Sequence, residues 1–294
     1  MQFFSYLING ISLGSVYALI ALGYTMVYGI AKMLNFAHGD VIMVGSYVVY
    51  FAFGASGLDP VLSIVLSMIV CTILGVVIER LAYRPLREAP SLAVLITAIG
   101  VSYLLQQVAQ LSWSSNPKSF TSVVSGMKPV SLFGGQLTIS AETIVTIVAC
   151  VVIMVVLMWF VNYTPAGHAM LAVSEDRGAA QLMGVNVNGT ISLTFAIGSA
   201  LAAIAGVLLC STYHTLMPTT GSMPGIKAFT AAVFGGIGSI PGALLGGLLL
   251  GIIEILGKAY VSMELGDALV FAVLIIVLLV KPTGLLGKPM REKV

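Results

Sequence analysis

Residues 6–29 read YLINGISLGSVYALIALGYTMVYG, a run that holds no charged side chain. A transmembrane α-helix needs about 20 predominantly apolar residues, so this run is long enough to cross a lipid bilayer. The whole chain has the same character: 59% of its 294 residues are hydrophobic, only 8% are charged, and its mean hydropathy is +1.07. So few polar side chains cannot cover a soluble globule of this length. The composition therefore predicts an all-α, polytopic membrane protein.

Further apolar runs of similar length follow along the chain. They are 36–55, 60–79, 91–111, 141–161, 190–211, 242–259 and 266–281. The segment 226–241 reads IKAFTAAVFGGIGSIP, which is shorter, rich in glycine and ended by proline. It predicts a broken or re-entrant helix enclosed by other helices, because irregular backbone is not tolerated against lipid. We expect about eight transmembrane helices plus this partial one, in a single transmembrane domain over residues 1–294.

The basic residues of the connections orient the chain. Alternation of the spans places nine of the 13 Lys and Arg residues on one side: Lys32, Arg80, Arg84, Arg87, Arg177, Lys281, Lys288, Arg291 and Lys293. The other side receives Lys118, Lys128, Lys227 and Lys258. The positive-inside rule predicts that the first side is cytoplasmic. This orientation requires that the segment 226–241 crosses the membrane or behaves as a crossing. It places the connection 162–190 on the cytoplasmic side.

The cytoplasmic connection 162–190 contains a short helix signal. Ser174 is placed to cap a helix whose first turn carries Glu175 and Asp176, where the helix dipole favours anions. Gly184 is placed to end the helix. A helix of about nine residues is marginal alone, so it needs a surface to dock on.

The composition of this short helix favours docking on another protein. Ala179, Ala180 and Met183 supply small and apolar surface, and Arg177 adds a charge on a polar face. Small residues permit close approach in a groove, and charges set the register. The alternative is a solvated connector with helical propensity.

The segment 226–241 carries candidate pathway residues. Gly235, Gly236, Gly238 and Pro241 predict non-helical backbone over residues 235–242 at membrane depth, because proline lacks a donor and glycine disfavours continuous helix. This irregular turn could line the substrate path. The alternative is that the glycines serve close helix packing.

Glu254 is the only acidic residue well inside an apolar run, in LLLGIIEILG. An ionisable group at that depth costs at least a few kcal/mol, so it must face other helices or a pathway rather than lipid. Two roles remain open at this point. Glu254 is either a cavity or gate residue, or the acceptor of a structural hydrogen bond from a neighbouring helix.

Polar residues also cluster where the second span begins. Asn35, His38 and Asp40 stand together there, and their side chains are placed to cap that helix.

Several functional classes find no support in the sequence. No GxxxxGK[ST] phosphate loop occurs, so the chain carries no ATPase motif of its own. The basic residues form no long run, which argues against nucleic-acid binding. Catalytic and metal-ligand patterns are lacking around the His and Cys residues, and we expect no active site, metal or cofactor. Those residues are His38, His168, His214, Cys71, Cys150 and Cys210.

Four stretches together resemble a known family. They are SEDRGAAQLMGVNV (174–187), GIKAFTAAVFGGIGSIPGALLGGLLLGIIE (225–254), YALIALGYTMVYGIAKMLNFAHGD (17–40) and KPTGLLG (281–287). These stretches resemble the LivH-type permease subunits of bacterial branched-chain amino acid ABC importers, and the match runs nearly end to end.

The resemblance implies a function for the charged connection. In that family the corresponding segment, here 172–185, looks like a coupling helix that sits in a cleft of a cytoplasmic ATPase. The implied partners are a second permease subunit, two ATPase subunits and a soluble substrate-binding protein, at the bacterial inner membrane. The implied substrate is a branched-chain amino acid, although related permeases serve urea or short amides. An ion-coupled secondary transporter is the alternative from another class, with 226–241 and Glu254 as its site.

Overall fold

The computed structural model describes residues 2–132 and 137–287, and these are mostly helical. Within them the helices are α1 Gln2–Ala31, α2 His38–Val49, α3 Pro60–Ile78, α4 Ser91–Trp113, α5 Ala141–Tyr163, α6 Pro165–Glu175, α7 Arg177–Leu182, α8 Val187–Tyr213, α9 Ser222–Gly235, α10 Ile240–Tyr260 and α11 Gly266–Val280. π-Helical turns at Tyr50–Ala55 and Glu79–Tyr83 extend α2 and α3, and a 3-10 turn follows at Arg84–Leu86. The basic tail residues Lys288, Arg291 and Lys293, used above for orientation, lie outside the described residues.

The predicted polytopic, all-α fold is confirmed. In the described part of the chain, six helices are long and apolar enough to cross a membrane: α1, α3 with its extension to Leu86, α4, α5, α8 and α10. The two remaining predicted spans correspond to α2 with its π-helical turn and to α11, a shorter apolar helix of 15 residues. The expected number of eight spans is therefore approximate, while the position of each predicted span coincides with a helix.

Short antiparallel strand pairs form in the loops on the predicted outer side of the membrane. β1 (Lys118–Ser119) pairs antiparallel with β4 (Thr215–Leu216), which joins the loop after α4 to the segment after α8. β2 (Val130–Leu132) pairs antiparallel with β3 (Leu137–Ile139) just before α5. These pairs satisfy backbone groups in loops that lack helix.

The centre of the fold is α1, packed directly against α10. In α1 94% of the most apolar window is buried, compared with 17% in α4. A Cβ atom added to Gly14 would lie 2.7 Å from the Cα of Leu248, and one added to Gly10 would lie 2.9 Å from the Cα of Ile252. The two backbones therefore touch, which is the packing that small residues permit between membrane helices.

Two helices, α2 and α9, begin against the middle of the long helices. The His38 ring at the start of α2 packs on Tyr24 of α1, with ring centroids 4.7 Å apart. Gly225 in the first turn of α9 approaches Gly39 so closely that an added Cβ would lie 3.0 Å from the Gly39 Cα. The N-termini of α2 and α9 therefore meet inside the bundle, as in discontinuous membrane helices.

The same backbone turn precedes both of these helices. Lys32 (φ 54°) directly follows α1 and His214 (φ 56°) directly follows α8, and both have the left-handed conformation that non-glycine residues rarely adopt. Each turn is followed by a non-helical segment of a few residues and then by α2 or α9. Since α1 and α8 run in opposite predicted directions, the two turns lie at opposite predicted ends of the bundle.

The predicted capping of α2 by Asn35, His38 and Asp40 is wrong. The residue before α2 is Ala37, and no side chain caps the helix. Asn35 instead accepts a hydrogen bond from the Tyr83 hydroxyl at 2.9 Å, and Asp40 accepts one from Gln106 of α4 at 2.9 Å. Because α2 begins inside the bundle, Asp40 binds a neighbouring helix and the His38 ring packs on Tyr24.

The break between α9 and α10 is shorter than the predicted 235–242. Helix α9 ends at Gly235 and α10 begins at Ile240, with Gly236 and Gly238 at φ 106° and 93°. Pro241 stands in the first turn of α10, where its missing N–H is not needed. Gly242 is helical, and its N–H donates to the Ser239 hydroxyl at 3.1 Å.

The break packs between the end of α1 and the C-terminal segment. A Cβ on Gly29, near the end of α1, would lie 3.2 Å from the Gly238 Cα. The C-terminal segment 281–287 pairs with the break, since Leu285 and Leu286 donate N–H groups to the carbonyls of Phe234 and Gly235 at 2.9 Å. The structure therefore confirms non-helical backbone at the break, while its depth in the membrane stays a prediction.

Replacing Gly14 with Leu tests the α1–α10 contact. The new side chain would meet α10 backbone, and overpacking in a tight core costs about 1–3 kcal/mol or more. We expect Gly14→Leu to lower the melting temperature of the detergent-purified protein. Gly100→Leu on α4 is the matched control, because no atom lies within 4 Å of its added Cβ. Equal melting temperatures for the two variants would contradict this packing.

Candidate functional site

The cytoplasmic connection folds as two helices, α6 and α7, which meet at Asp176. Thr164 caps α6 by accepting the Gly167 N–H at 3.0 Å, and α6 then continues through Glu175. Asp176 has extended backbone (φ −155°) and caps α7 by accepting the Ala179 N–H at 3.0 Å. The connection therefore holds a sharp corner just before α7.

The predicted cap at Ser174 is wrong for this reason. Ser174 lies inside α6, and its hydroxyl donates to the Leu171 carbonyl at 2.7 Å. Glu175 is the last residue of α6 and is not in the first turn of α7. Because Thr164 starts a helix earlier in the chain, Asp176, an equally good capping residue, takes the role predicted for Ser174.

The predicted end of the helix at Gly184 is confirmed. Gly184 is left-handed (φ 83°), its N–H donates to Gln181, and the Val185 N–H donates to Ala180, both at 3.0 Å. This pair of bonds is the Schellman motif, which favours glycine at this position.

Two of the predicted docking residues face inward. Ala180 is only 4% exposed and packs in the core of this chain. The Arg177 guanidinium donates to the Ala31 carbonyl at the end of α1. Burial lowers the pKa of Arg177, and the nearby positive charge of Arg87 lowers it further. The expectation that Arg177 and Ala180 both face outward is therefore corrected: they attach α7 to α1 and to the core.

The outward face of α7 is apolar and exposed. Met183 is 84% exposed, Leu182 is 90% exposed, and Ala179 is exposed between them and Glu175. Leu182 is not one of the predicted docking residues, although its spacing from Ala179 places it on the same side. Adjacent, nearly fully exposed Leu and Met side chains in the predicted cytoplasmic connection form an apolar surface patch.

Glu254 lies at the centre of an ion-pair network near the predicted outer side, in which Glu254 and Lys227 are buried and Lys258 and Asp267 are partly exposed. Its Oε1 atom accepts hydrogen bonds from Lys227 at 2.7 Å and from Lys258 at 2.5 Å, and its Oε2 atom accepts one from the Tyr17 hydroxyl at 2.8 Å. Lys227 also donates to Asp267 at 2.6 Å. The network connects α1, α9, α10 and α11.

The prediction that Glu254 faces other helices is confirmed, since the residue is 1% exposed. The sequence left open a cavity or gate role and a structural hydrogen bond for Glu254. The structure shows that Glu254 accepts hydrogen bonds from neighbouring helices. Lys227 and Tyr17 are partners that local sequence patterns do not reveal, because Tyr17 is 237 positions away along the chain. The spacing of one helical turn between Glu254 and Lys258 was the sequence pattern that could have predicted their ion pair.

The remaining pathway candidates are packed against backbone. Gly235 lies against Gly242, and Gly236 lies against Gly287 of the C-terminal segment. Gly238 faces Gly29, and Pro241 starts α10. In residues 2–132 and 137–287 no group of three or more His, Cys, Asp or Glu side chains is placed to hold a metal ion.

The described residues therefore form a bundle of candidate membrane spans with an exposed apolar surface on α7. Residues 6–278 match the family described as "Branched-chain amino acid transport system / permease component". The chain is 46% identical to the high-affinity branched-chain amino acid transport system permease protein LivH of Escherichia coli (strain K12), covering 100% of this chain and 98% of that one.

Two further relatives show the same match. The chain is 47% identical to the permease protein BraD of Pseudomonas aeruginosa, with 98% of this chain and 97% of that one covered. It is 31% identical to a probable LivH permease of Methanocaldococcus jannaschii, with 92% and 88% covered. The chain therefore belongs to the family of branched-chain amino acid transport permeases, as a multi-pass protein of the inner membrane.

Glu254→Leu tests the ion-pair network. Removing one partner of a buried ion pair costs about 3–5 kcal/mol. Without Glu254, the buried Lys227 would keep only the partly exposed Asp267 as its charged partner. We expect Glu254→Leu to lower the melting temperature strongly, and Glu254→Gln, which keeps hydrogen-bonding atoms, to lower it less. Glu264→Leu, at an exposed residue, is the control. A Glu254→Leu protein as stable as the parent would show that the network contributes nothing to stability.

Proposed function

We propose that this chain is the membrane-spanning subunit of an ATP-driven importer of branched-chain amino acids. The observation that carries the proposal is the end-to-end identity of 46% with a high-affinity branched-chain amino acid permease. The sequence has no phosphate-binding loop, so the energy of ATP hydrolysis must be delivered by a separate chain. The partners proposed are two cytoplasmic ATPase subunits, a second permease subunit and a soluble substrate-binding protein.

The outward face of α7 is proposed to receive the ATPase. Ala179, Leu182 and Met183 would enter a cleft on its surface, and Glu175 would form the polar rim. Asp176 and Gly184 define the two ends of α7, so their role is to hold the helix in the docking orientation.

The inward face of α7 is proposed to pass the movement on to the spans. Arg177 bonds the end of α1, and Ala180 is packed in the core. α6 joins this contact through Met170 and Val173, which are buried. A displacement of α7 by the ATPase would therefore act on α1, the most deeply buried of the candidate spans.

Transport by the reconstituted complex tests the proposed function. We expect proteoliposomes holding this chain with its second permease and ATPase subunits to accumulate leucine, isoleucine or valine when ATP and the binding protein are supplied. Collapse of the ion gradients should have no effect. Uptake of urea or acetamide in place of these amino acids would change the substrate class, and uptake driven by an ion gradient without ATP would contradict the proposal.

Leu182→Glu tests the docking face in the same complex. The few residues that dominate a protein interface each contribute about 2 kcal/mol or more, roughly a 30-fold change in affinity. We expect normal membrane abundance, weaker co-purification with the ATPase and loss of substrate-stimulated ATP hydrolysis. Gln181→Glu adds the same charge to an exposed residue on another side of α7 and serves as the control. Normal stimulation in Leu182→Glu would identify the segment as a solvated connector.

A further inference from the structure

A groove of about 640 Å³ lies between the predicted cytoplasmic ends of α3 and α8. One end of the groove is apolar and is lined by Val76, Leu193 and Ala196. The other end is polar and includes Arg80 and Arg84. We propose that this groove binds an anionic phospholipid, with its phosphate between the two arginines.

The two arginines are available for an anion. Both are exposed, and in the described part of the chain neither forms a salt bridge. The neighbouring carboxylate, Glu79, is already engaged by Arg87 and by the Ser192 hydroxyl, the latter at 2.7 Å. Arginine presents a planar fork of donors that matches phosphate oxygens, so two of them at one end of a groove form a phosphate-binding arrangement.

The start of α8 adds to the positive character of the polar end. Asn186 caps this helix by accepting the Gly189 N–H at 3.0 Å, and both residues line the groove. Asn188 lines it as well and is held by a hydrogen bond from Arg87. The helix dipole places partial positive charge at this end, which favours an anion beside the arginines.

The surface of α3 favours a lipid over a free phosphate ion. An exposed apolar row runs along the helix at spacings of three and four residues: Leu62, Leu66, Ile69, Ile73 and Val77. Val76, Arg80 and Arg84, from the end of α3 and its extension, line the groove beside this row. An acyl chain lying along this row would place its headgroup at the arginines, as in basic pockets between membrane helices.

Binding by purified protein tests the site. Native mass spectrometry of the full chain would compare dioleoyl phosphatidylglycerol with dioleoyl phosphatidylcholine, which share acyl chains and differ in headgroup charge. We expect preferential binding of phosphatidylglycerol, reduced at least tenfold in Arg80→Gln/Arg84→Gln. Lys32→Gln/Lys281→Gln removes the same charge from exposed residues elsewhere on the predicted cytoplasmic side, and it should bind like the parent.

A second measurement separates lipid binding from folding and from free phosphate. Phosphatidylglycerol should raise the melting temperature of the parent but not of the double arginine variant, whose melting temperature in phosphatidylcholine should equal that of the parent. If the double variant is unstable, Arg84→Gln alone is used. Unchanged phosphatidylglycerol binding by the arginine variants would overturn the proposal. Stabilisation by inorganic phosphate equal to that by the lipid, or loss of the lipid when the second permease assembles, would also overturn it.

Discussion

Close approach of helix backbones around α1 is the constraint on which the rest of the structure depends. Apolar side chains gain little by leaving lipid for each other, so membrane helices associate through tight packing and hydrogen bonds. Gly14 brings α1 against α10, and Gly23 brings it against Gly198 of α8. These contacts fix where α2 and α9 can begin, and they place Tyr17 within hydrogen-bonding distance of Glu254.

As a result, the two ends of α1 contact different parts of the protein. Toward the predicted outer side, Tyr17 joins the network of Glu254 and Lys227, which holds α9, α10 and α11 together. At the predicted cytoplasmic end, the Ala31 carbonyl accepts the hydrogen bond of Arg177 from α7. A single buried helix thus connects the proposed ATPase-docking segment with the ion pairs at the opposite side of the bundle. This connection gives the proposed coupling a mechanical basis.

Local signals in the sequence were sufficient for much of this structure. The lengths of the apolar runs locate the spans, Gly184 ends α7 because glycine adopts the left-handed conformation cheaply, and the burial of Glu254 follows from the cost of a carboxylate in lipid. Non-local features were not accessible in this way. The cap at Asp176 depends on where α6 starts, and the Tyr17 hydrogen bond depends on helix packing across the whole chain.

The central claim is that the apolar face of α7 is covered by a separate ATPase subunit. It is tested most directly by the maleimide labelling rate of Leu182→Cys in the isolated chain and in the assembled transporter. Background labelling is low because the native residues Cys71, Cys150 and Cys210 are buried. We expect rapid labelling of the isolated chain and strong protection in the assembled transporter. Equal labelling rates in the two states would contradict it.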